Sequence, residues 1–245
     1  MVDHVEKVPG WVDRELFPFE SRFVETRFGR IHYVDEGPRE GQVVLLVHGT
    51  PSWSFEYRYL LPVLARTRRV IAIDHLGFGL SGRPADFPYT PEAHTEVLRE
   101  VIDRLDLTRF ALVVHDYGGP IALPIAVAEP RRISSLVLMN TWFWSIESDP
   151  ELFRLARLGA SFVGRFLYRW FNASLRLIMP SAYADRRKLT PRIHAQYLAP
   201  FPLRADRVRV LWALARALVA SSSSFERIWD GRARLGAIPT HGCSR

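Results

Sequence analysis

The stretch ALVVHDYGGPIAL (Ala111–Leu123) ends an apolar run at a carboxylate and follows it with a glycine pair. Val113 and Val114 read as the end of a buried strand, and Gly118, Gly119 and Pro120 as a tight turn entering a helix. A strand, a sharp turn and a helix with small neighbours make a nucleophile elbow, whose usual pattern is Gly-x-Ser-x-Gly. Val114, His115, Asp116, Tyr117 and Gly118 occupy those positions here, so the second glycine is kept and the reactive position is an aspartate. A carboxylate can displace a leaving group from a saturated carbon and become an alkyl ester, which water then cleaves at the carbonyl. A serine would give an ether, which water does not readily cleave. An aspartate elbow therefore favours alkyl halides or epoxides over esters and amides. The competing role for Asp116 is an N-cap that satisfies helix-start N–H groups. The segment His48-Gly49-Thr50-Pro51, at the end of another apolar run, tips the balance toward chemistry.

Such residues need a scaffold, and the pattern around them supplies one. SRFVETRFGRIHYVDEG (Ser21–Gly37) alternates apolar and polar residues about Phe28-Gly29, as a hairpin of two half-buried strands does. VVLLVHG (Val43–Gly49), RVIAIDHLGFGLS (Arg69–Ser81), FALVVHD and ISSLVLMN (Ile133–Asn140) are continuous apolar runs suited to strands covered on both faces. Between them, Phe55–Leu64, Pro91–Leu105 and Pro120–Ala128 have helical spacing, with Thr90 as the N-cap of the second. This order predicts an α/β fold, with a mostly parallel sheet preceded by an antiparallel hairpin. Sites in such sheets lie beyond the carboxyl ends of the strands. Three strand ends carry polar or glycine-rich sequence: His48–Pro51, Asp74–Gly77 and His115–Gly118.

After Asn140 the strand pattern stops, and Trp142–Trp229 is rich in Arg, Leu, Ala and aromatics at helical spacing. The chain thus divides into a core (1–140), a helical cap (141–229) and a short return toward the core (230–245). The 245 residues carry a formal charge of +7, with much of the arginine between Arg154 and Arg234. With no nucleic-acid motif beside it, this charge is expected to be the solvated face of amphipathic helices. No stretch reaches the roughly 18 apolar residues of a membrane span. The beginning of the chain lacks a secretory pattern and the one cysteine, Cys243, excludes an internal disulfide framework. The expectation is a cytoplasmic protein that meets a small molecule and neither nucleic acid nor membrane.

The segments VVLLVHGTPSWSFEYR, IAIDHLGFGLSGRP, LVVHDYGGPIAL and VLMNTWFW together resemble the α/β-hydrolase superfamily, and within it the haloalkane dehalogenases. Epoxide hydrolases share the elbow. The resemblance implies Asp116 as nucleophile, and the backbone N–H groups of Thr50 and Tyr117 as the oxyanion hole. It implies His48 and Gly49 as support for the oxyanion loop, and no metal or cofactor. Asp74 and His75 fall in a loop with a structural role. Dehalogenases typically have a tryptophan just after the nucleophile, whose indole holds the halide. This chain has Tyr117 there, so Tyr117, Trp142, Trp144 and Trp170 are the candidates for the halide and substrate pocket. Epoxide hydrolases instead use two cap tyrosines as the acid, for which Tyr168, Tyr183 and Tyr197 are available.

The superfamily also has a general-base histidine and an acid that orients it, both late in the chain. Here no Asp or Glu follows Asp230, and Asn140 and Thr141 stand where some dehalogenases place the acid. His241 is the late histidine, while His194 lies within the cap and is expected to pack or face solvent. Ile238-Pro239-Thr240 resembles the start of a seventh core strand. The expectation is a truncated or frameshifted family member lacking the last two strands. It would be an enzyme by resemblance with an incomplete catalytic set, and its exposed sheet edge would invite self-association. A non-catalytic ligand-binding or interaction role on the same scaffold remains the alternative from another class.

Overall fold

The structure is a computed structural model that describes His4, Val5 and residues 8–239. Seven strands form one sheet: β1 (His4–Val5), β2 (Arg22–Thr26), β3 (Gly29–Glu36), β4 (Val43–Val47), β5 (Arg69–Ile73), β6 (Phe110–His115) and β7 (Ile133–Met139). Their spatial order is β1-β2-β3-β5-β4-β6-β7. The hairpin β2–β3 pairs antiparallel with Val24 opposite Ile31, and β3 pairs antiparallel with β5. From β5 through β4 and β6 to β7 the pairing is parallel. This is the predicted α/β architecture. The apolar run of β4 follows from its place: it is flanked by β5 and β6 and covered on both faces, so Leu45, Leu46 and Val47 are fully buried.

Strand order reverses beside β4, since the chain goes first to β5 on one side and then to β6 on the other. At such a switch point the loops leaving neighbouring strands diverge and open a crevice. The loops after β4 and β6 are the two that carry His48–Pro51 and His115–Gly118, so topology alone brings them face to face.

Two long helices flank these strands. Helix α1 (Pro91–Arg104) begins where expected, with the Thr90 side chain accepting from the Ala93 N–H at 3.3 Å. Helix α2 (Gly118–Ala128) follows the elbow. The helix expected over Phe55–Leu64 is instead a 3-10 turn at Ser54–Tyr57 and a short helical turn at Leu61–Leu64. The physical reason is local: Pro62 has no N–H to bond the Arg58 carbonyl, so a continuous helix is interrupted there.

Residues after β7 form helices with no further strand among those described. These include α3 (Pro150–Ala160), α4 (Phe162–Phe171), α5 (Pro191–Leu198), α6 (Ala213–Ala220) and α7 (Ser222–Gly231). Helix α7 packs on α2 of the sheet layer, with Phe225 and Ile228 buried. Ile238 is buried against the core without joining a strand, and Thr240 lies outside the described residues. Strand β7 is the outer strand among the described residues. Its last three side chains, Val137, Leu138 and Met139, are 41 to 46% exposed. Successive side chains point to opposite faces, so both faces of the sheet are bare there. No helix among the described residues is long and apolar enough to cross a membrane.

Candidate active site

Asp116 sits between β6 and α2 at φ 48°, the left-handed region that a non-glycine residue enters only when its surroundings enforce it. Here Thr141 Oγ1 donates to the Asp116 carbonyl at 2.6 Å, and the Gly119 N–H reaches the same oxygen at 3.1 Å. The glycines around it are there for room. A Cβ on Gly118 would run into the Val47 carbonyl, and one on Gly119 into Thr141 Oγ1. A Cβ on Gly49 would strike the Asp116 side chain itself. The Thr50 N–H donates to Asp116 Oδ1 at 2.8 Å. Burial pushes the Asp116 carboxyl up to about 6, while the backbone N–H groups of Tyr117 and Thr50 pull it part of the way back.

Behind the Gly49-Thr50 loop lies a buried polar frame. The His75 N–H donates to His48 Nε2 at 3.0 Å, which leaves His48 Nδ1 as the donor to the Gly49 carbonyl at 2.7 Å. His75 Nε2 returns a bond to the His48 carbonyl at 3.0 Å. His48 thus holds the loop, and burial lowers its pKa below the ordinary imidazole value. Asp74 accepts from the Ser54 and Leu80 N–H groups, and its Oδ2 lies 2.8 Å from His32 Nδ1. His32 Nε2 lies 3.0 Å from Ser21 Oγ. This Ser21–His32–Asp74 chain has the connectivity of a hydrolytic triad, but all three residues are buried. With no access for substrate, it is a brace between hairpin and loop.

Asp116 opens on a cavity of about 360 Å³. Thr50, Glu56, Arg58 and His115 line one part of it, and Ile178, Met179, Tyr183 and Tyr197 another. His115 Nδ1 stands 3.3 Å from the Glu56 carboxylate. Burial works against the His115 cation, but the Glu56 contact outweighs it and raises the pKa. Arg58 Nη1 reaches the Tyr197 hydroxyl at 3.3 Å. Sequence reasoning missed Glu56 and Arg58. The signal was available, because they flank Tyr57 in an otherwise apolar segment just after the oxyanion loop.

The four halide candidates are not brought together. The Tyr117 hydroxyl donates to the Leu214 carbonyl at 2.6 Å, so its side chain anchors the cap and its contribution to the site is its backbone. Trp142 packs edge-on against Tyr117 at 4.9 Å between centroids, with its indole Nε1 buried and unpartnered. Trp144 and Trp170 are exposed and do not line the cavity; Trp144 packs on Trp229, and Arg204 covers Trp170. Their positions on outward helix and loop faces remove them from the site. His194 Nε2 bonds the Leu175 carbonyl at 2.7 Å, a packing role as expected. His241 lies outside the described residues.

Asp116 at the turn after β6 faces the loop after β4 beneath the helices that follow β7, and the chain belongs to the α/β-hydrolase fold family, which it matches over residues 42–227. It is haloalkane dehalogenase-like. It is 46% identical over 136 residues to haloalkane dehalogenase 2 of Mycobacterium tuberculosis, covering 56% of this chain and 47% of that protein. It is 36% identical over 200 residues to the cis-3-alkyl-4-alkyloxetan-2-one decarboxylase of Shewanella oneidensis, covering 80% and 62%. The chain therefore spans between about half and three-fifths of the length of these curated relatives. Among solved structures, an ancestral haloalkane dehalogenase superposes with a TM-score of 0.81 at 27% identity, over 89% of this chain and 77% of that one. Haloalkane dehalogenase DbeA from Bradyrhizobium elkani superposes at 0.79 with 25% identity, over 89% and 77%.

Proposed function

We propose that Asp116 displaces halide from an alkyl carbon, forming an ester that water hydrolyses, as the names of the dehalogenase relatives suggest. The observation that carries this reading is the Asp116 carboxylate itself, held by the Thr50 N–H and opening on a cap-covered cavity. With Oδ1 fixed in the oxyanion hole, Oδ2 is the attacking oxygen. Trp142 packs beside Tyr117 with its indole N–H buried and unpartnered, but it does not line the Asp116 cavity, so no halide donor is assigned. In the second step the ester carbonyl becomes an oxyanion on Asp116, facing the Thr50 and Tyr117 N–H groups.

Alkylation needs a carboxylate, a held halide and alignment. Hydrolysis also needs a base to activate water, worth typically about 10² to 10⁴-fold. Among the described residues His115 is the histidine that lines the Asp116 cavity, and its Glu56 contact favours the cation, which takes no proton from water, so hydrolysis should lag and one alkyl increment should accumulate. Intact mass spectrometry after incubation with an alkyl bromide checks this, with released bromide measured in parallel. No increment at all would defeat the reading, and many bromides released per chain would mean that a base is present in it. Gly49→Ala is expected to slow the increment by about 10²-fold, because the new methyl displaces the nucleophile. Trapping rates at matched bromide concentration measure the difference.

One observation favours a second reading, opening of a strained oxygen ring. Tyr183 and Tyr197, two cap tyrosines, line the same cavity as Asp116, where they could donate to the opening ring oxygen. The Shewanella relative is named for an oxetanone, also a strained oxygen ring. Adduct formation with a styrene-type epoxide, lost in Tyr183→Phe with Tyr197→Phe and unmatched by bromoalkanes, would select this reading.

A further inference from the structure

The cap presents an apolar face to solvent. On α3, Leu155 and Leu158 are exposed, with Leu155 at 62%. On α4, Phe162, Phe166 and Trp170 are exposed, with Phe162 at 77%. Just beyond α4, Ile178 is 52% exposed and also lines the Asp116 cavity. The inner faces of these helices are already used: α3 packs on α6 through buried Ala156, and the Trp212 indole ties to the Gly159 carbonyl. The outer face is therefore a second apolar surface rather than a core side turned the wrong way. Soluble monomers rarely expose so many large apolar side chains in one place unless something binds there.

The charge around this face selects the partner. From the start of α3 at Pro150 to Ala184 the chain has five arginines against one acid, Glu151 in the first turn of α3. Arg154, Arg157, Arg165 and Arg176 are exposed, and none makes an ion pair with a described residue. A second copy docked through the same face would set arginine against arginine, because a two-fold interface presents one patch to itself. An anionic lipid surface reverses that sign. It takes Leu, Phe and Trp side chains at acyl-boundary depth and lets arginines reach the headgroups. We propose that α3 and α4 dock the protein in the plane of an anionic bilayer surface, with Ile178 setting the cavity mouth against the lipid. An apolar substrate dissolved in the bilayer would then enter without crossing water. The sequence suggested a solvated helix face for this charge; the exposed apolar residues between the arginines give it a different use. Docking stands independently of the reaction Asp116 performs.

Cosedimentation of the full chain with vesicles tests the proposal, using phosphatidylcholine alone and phosphatidylcholine mixed with phosphatidylserine. The expected result is binding to the mixed vesicles, several-fold weaker binding to the neutral ones, and loss of the difference as salt rises. Arg154→Gln with Arg157→Gln is expected to weaken binding to the mixed vesicles about 25-fold, at about five-fold per charge. Leu155→Ser with Phe162→Ser should weaken binding to both vesicle types; circular dichroism checks that these variants fold. The salt series on the unaltered chain needs no variant. Absence of binding to mixed vesicles, or binding indifferent to salt, overturns the proposal. So does association of the chain with itself that the Leu155/Phe162 pair of substitutions abolishes while vesicles remain unbound, since the face would then serve a second copy.

Discussion

Asp116→Asn is expected to lower the rate of alkyl-adduct formation by about 10⁴-fold or more, the scale on which removal of a nucleophile acts. The carboxamide keeps the shape and can still accept from the Thr50 N–H, so the loss measures nucleophilicity rather than fit. The unaltered chain should show a matching pH dependence. Burial has pushed the Asp116 carboxyl up to about 6, so the reactive carboxylate dominates above that value. Below it, each further pH unit should cost about tenfold in rate. Stopped incubations with an alkyl bromide across this range, read by intact mass, measure the curve. A rate independent of pH down to the ordinary aspartate range would show that the Asp116 carboxyl is not raised or that another group is being alkylated, which the Asp116→Asn variant separates.

Acid should also unfold the protein earlier than its carboxylates alone would predict. His94 is fully buried among Phe87, His75 and Phe78, and neither ring nitrogen has a hydrogen bond. Burial and then the neighbouring His48 push its pKa down to about 3, and burial also drives His75 well below the ordinary value. Both are therefore neutral when folded, whereas an unfolded imidazole takes its proton near 6.5. The stability they contribute is complete above about pH 6.5 and is lost as pH falls, by about 1.4 kcal/mol per unit for each ring. Between about pH 6.5 and 5 His94 alone removes roughly 2 kcal/mol, and His75 acts in the same direction, against a typical total of about 5 to 15. Asp116 works in the opposite direction, since its raised pKa lets the folded state take a proton first. His94→Leu isolates one ring: denaturant titrations at the two pH values should show a variant that loses about 2 kcal/mol less than the unaltered chain. Equal losses would mean that His94 is hydrated or protonated in the folded protein.

The elbow was legible because its signal is local. An apolar run that stops at an acid before two glycines admits few backbone paths, and the structure follows the expected one from Phe110 to Ala128. The strands were legible for the same reason, through continuous apolar runs such as Val43–Val47. What escaped depends on distant partners. The Tyr117 hydroxyl is committed to the Leu214 carbonyl, 97 residues away, and no spacing around Tyr117 announces that. Glu56 matters because folding sets it beside His115, 59 residues on. Trp144 and Trp170 look like pocket residues by type, yet type does not say which side of a helix or loop meets the cavity. Helical periodicity likewise shows that α3 and α4 have apolar stripes, but not which stripe stays uncovered. The Phe55–Leu64 helix failed for a reason that was legible, since Pro62 interrupts its hydrogen-bond ladder.

The cage around Asp116 is built from main chain: the Thr50 N–H on one side, the Val47 carbonyl against Gly118, and the bare Cα of Gly49 pressed toward the carboxylate. Main chain cannot change rotamer to make space. The side chain at position 116 thus meets a fixed ruler, one methylene long. A glutamate would carry its oxygens past the donors or bend the elbow, although its chemistry is the same. Selection at this point acts on length before it acts on reactivity, so the family of nucleophiles that such a turn can try is confined to side chains as short as aspartate.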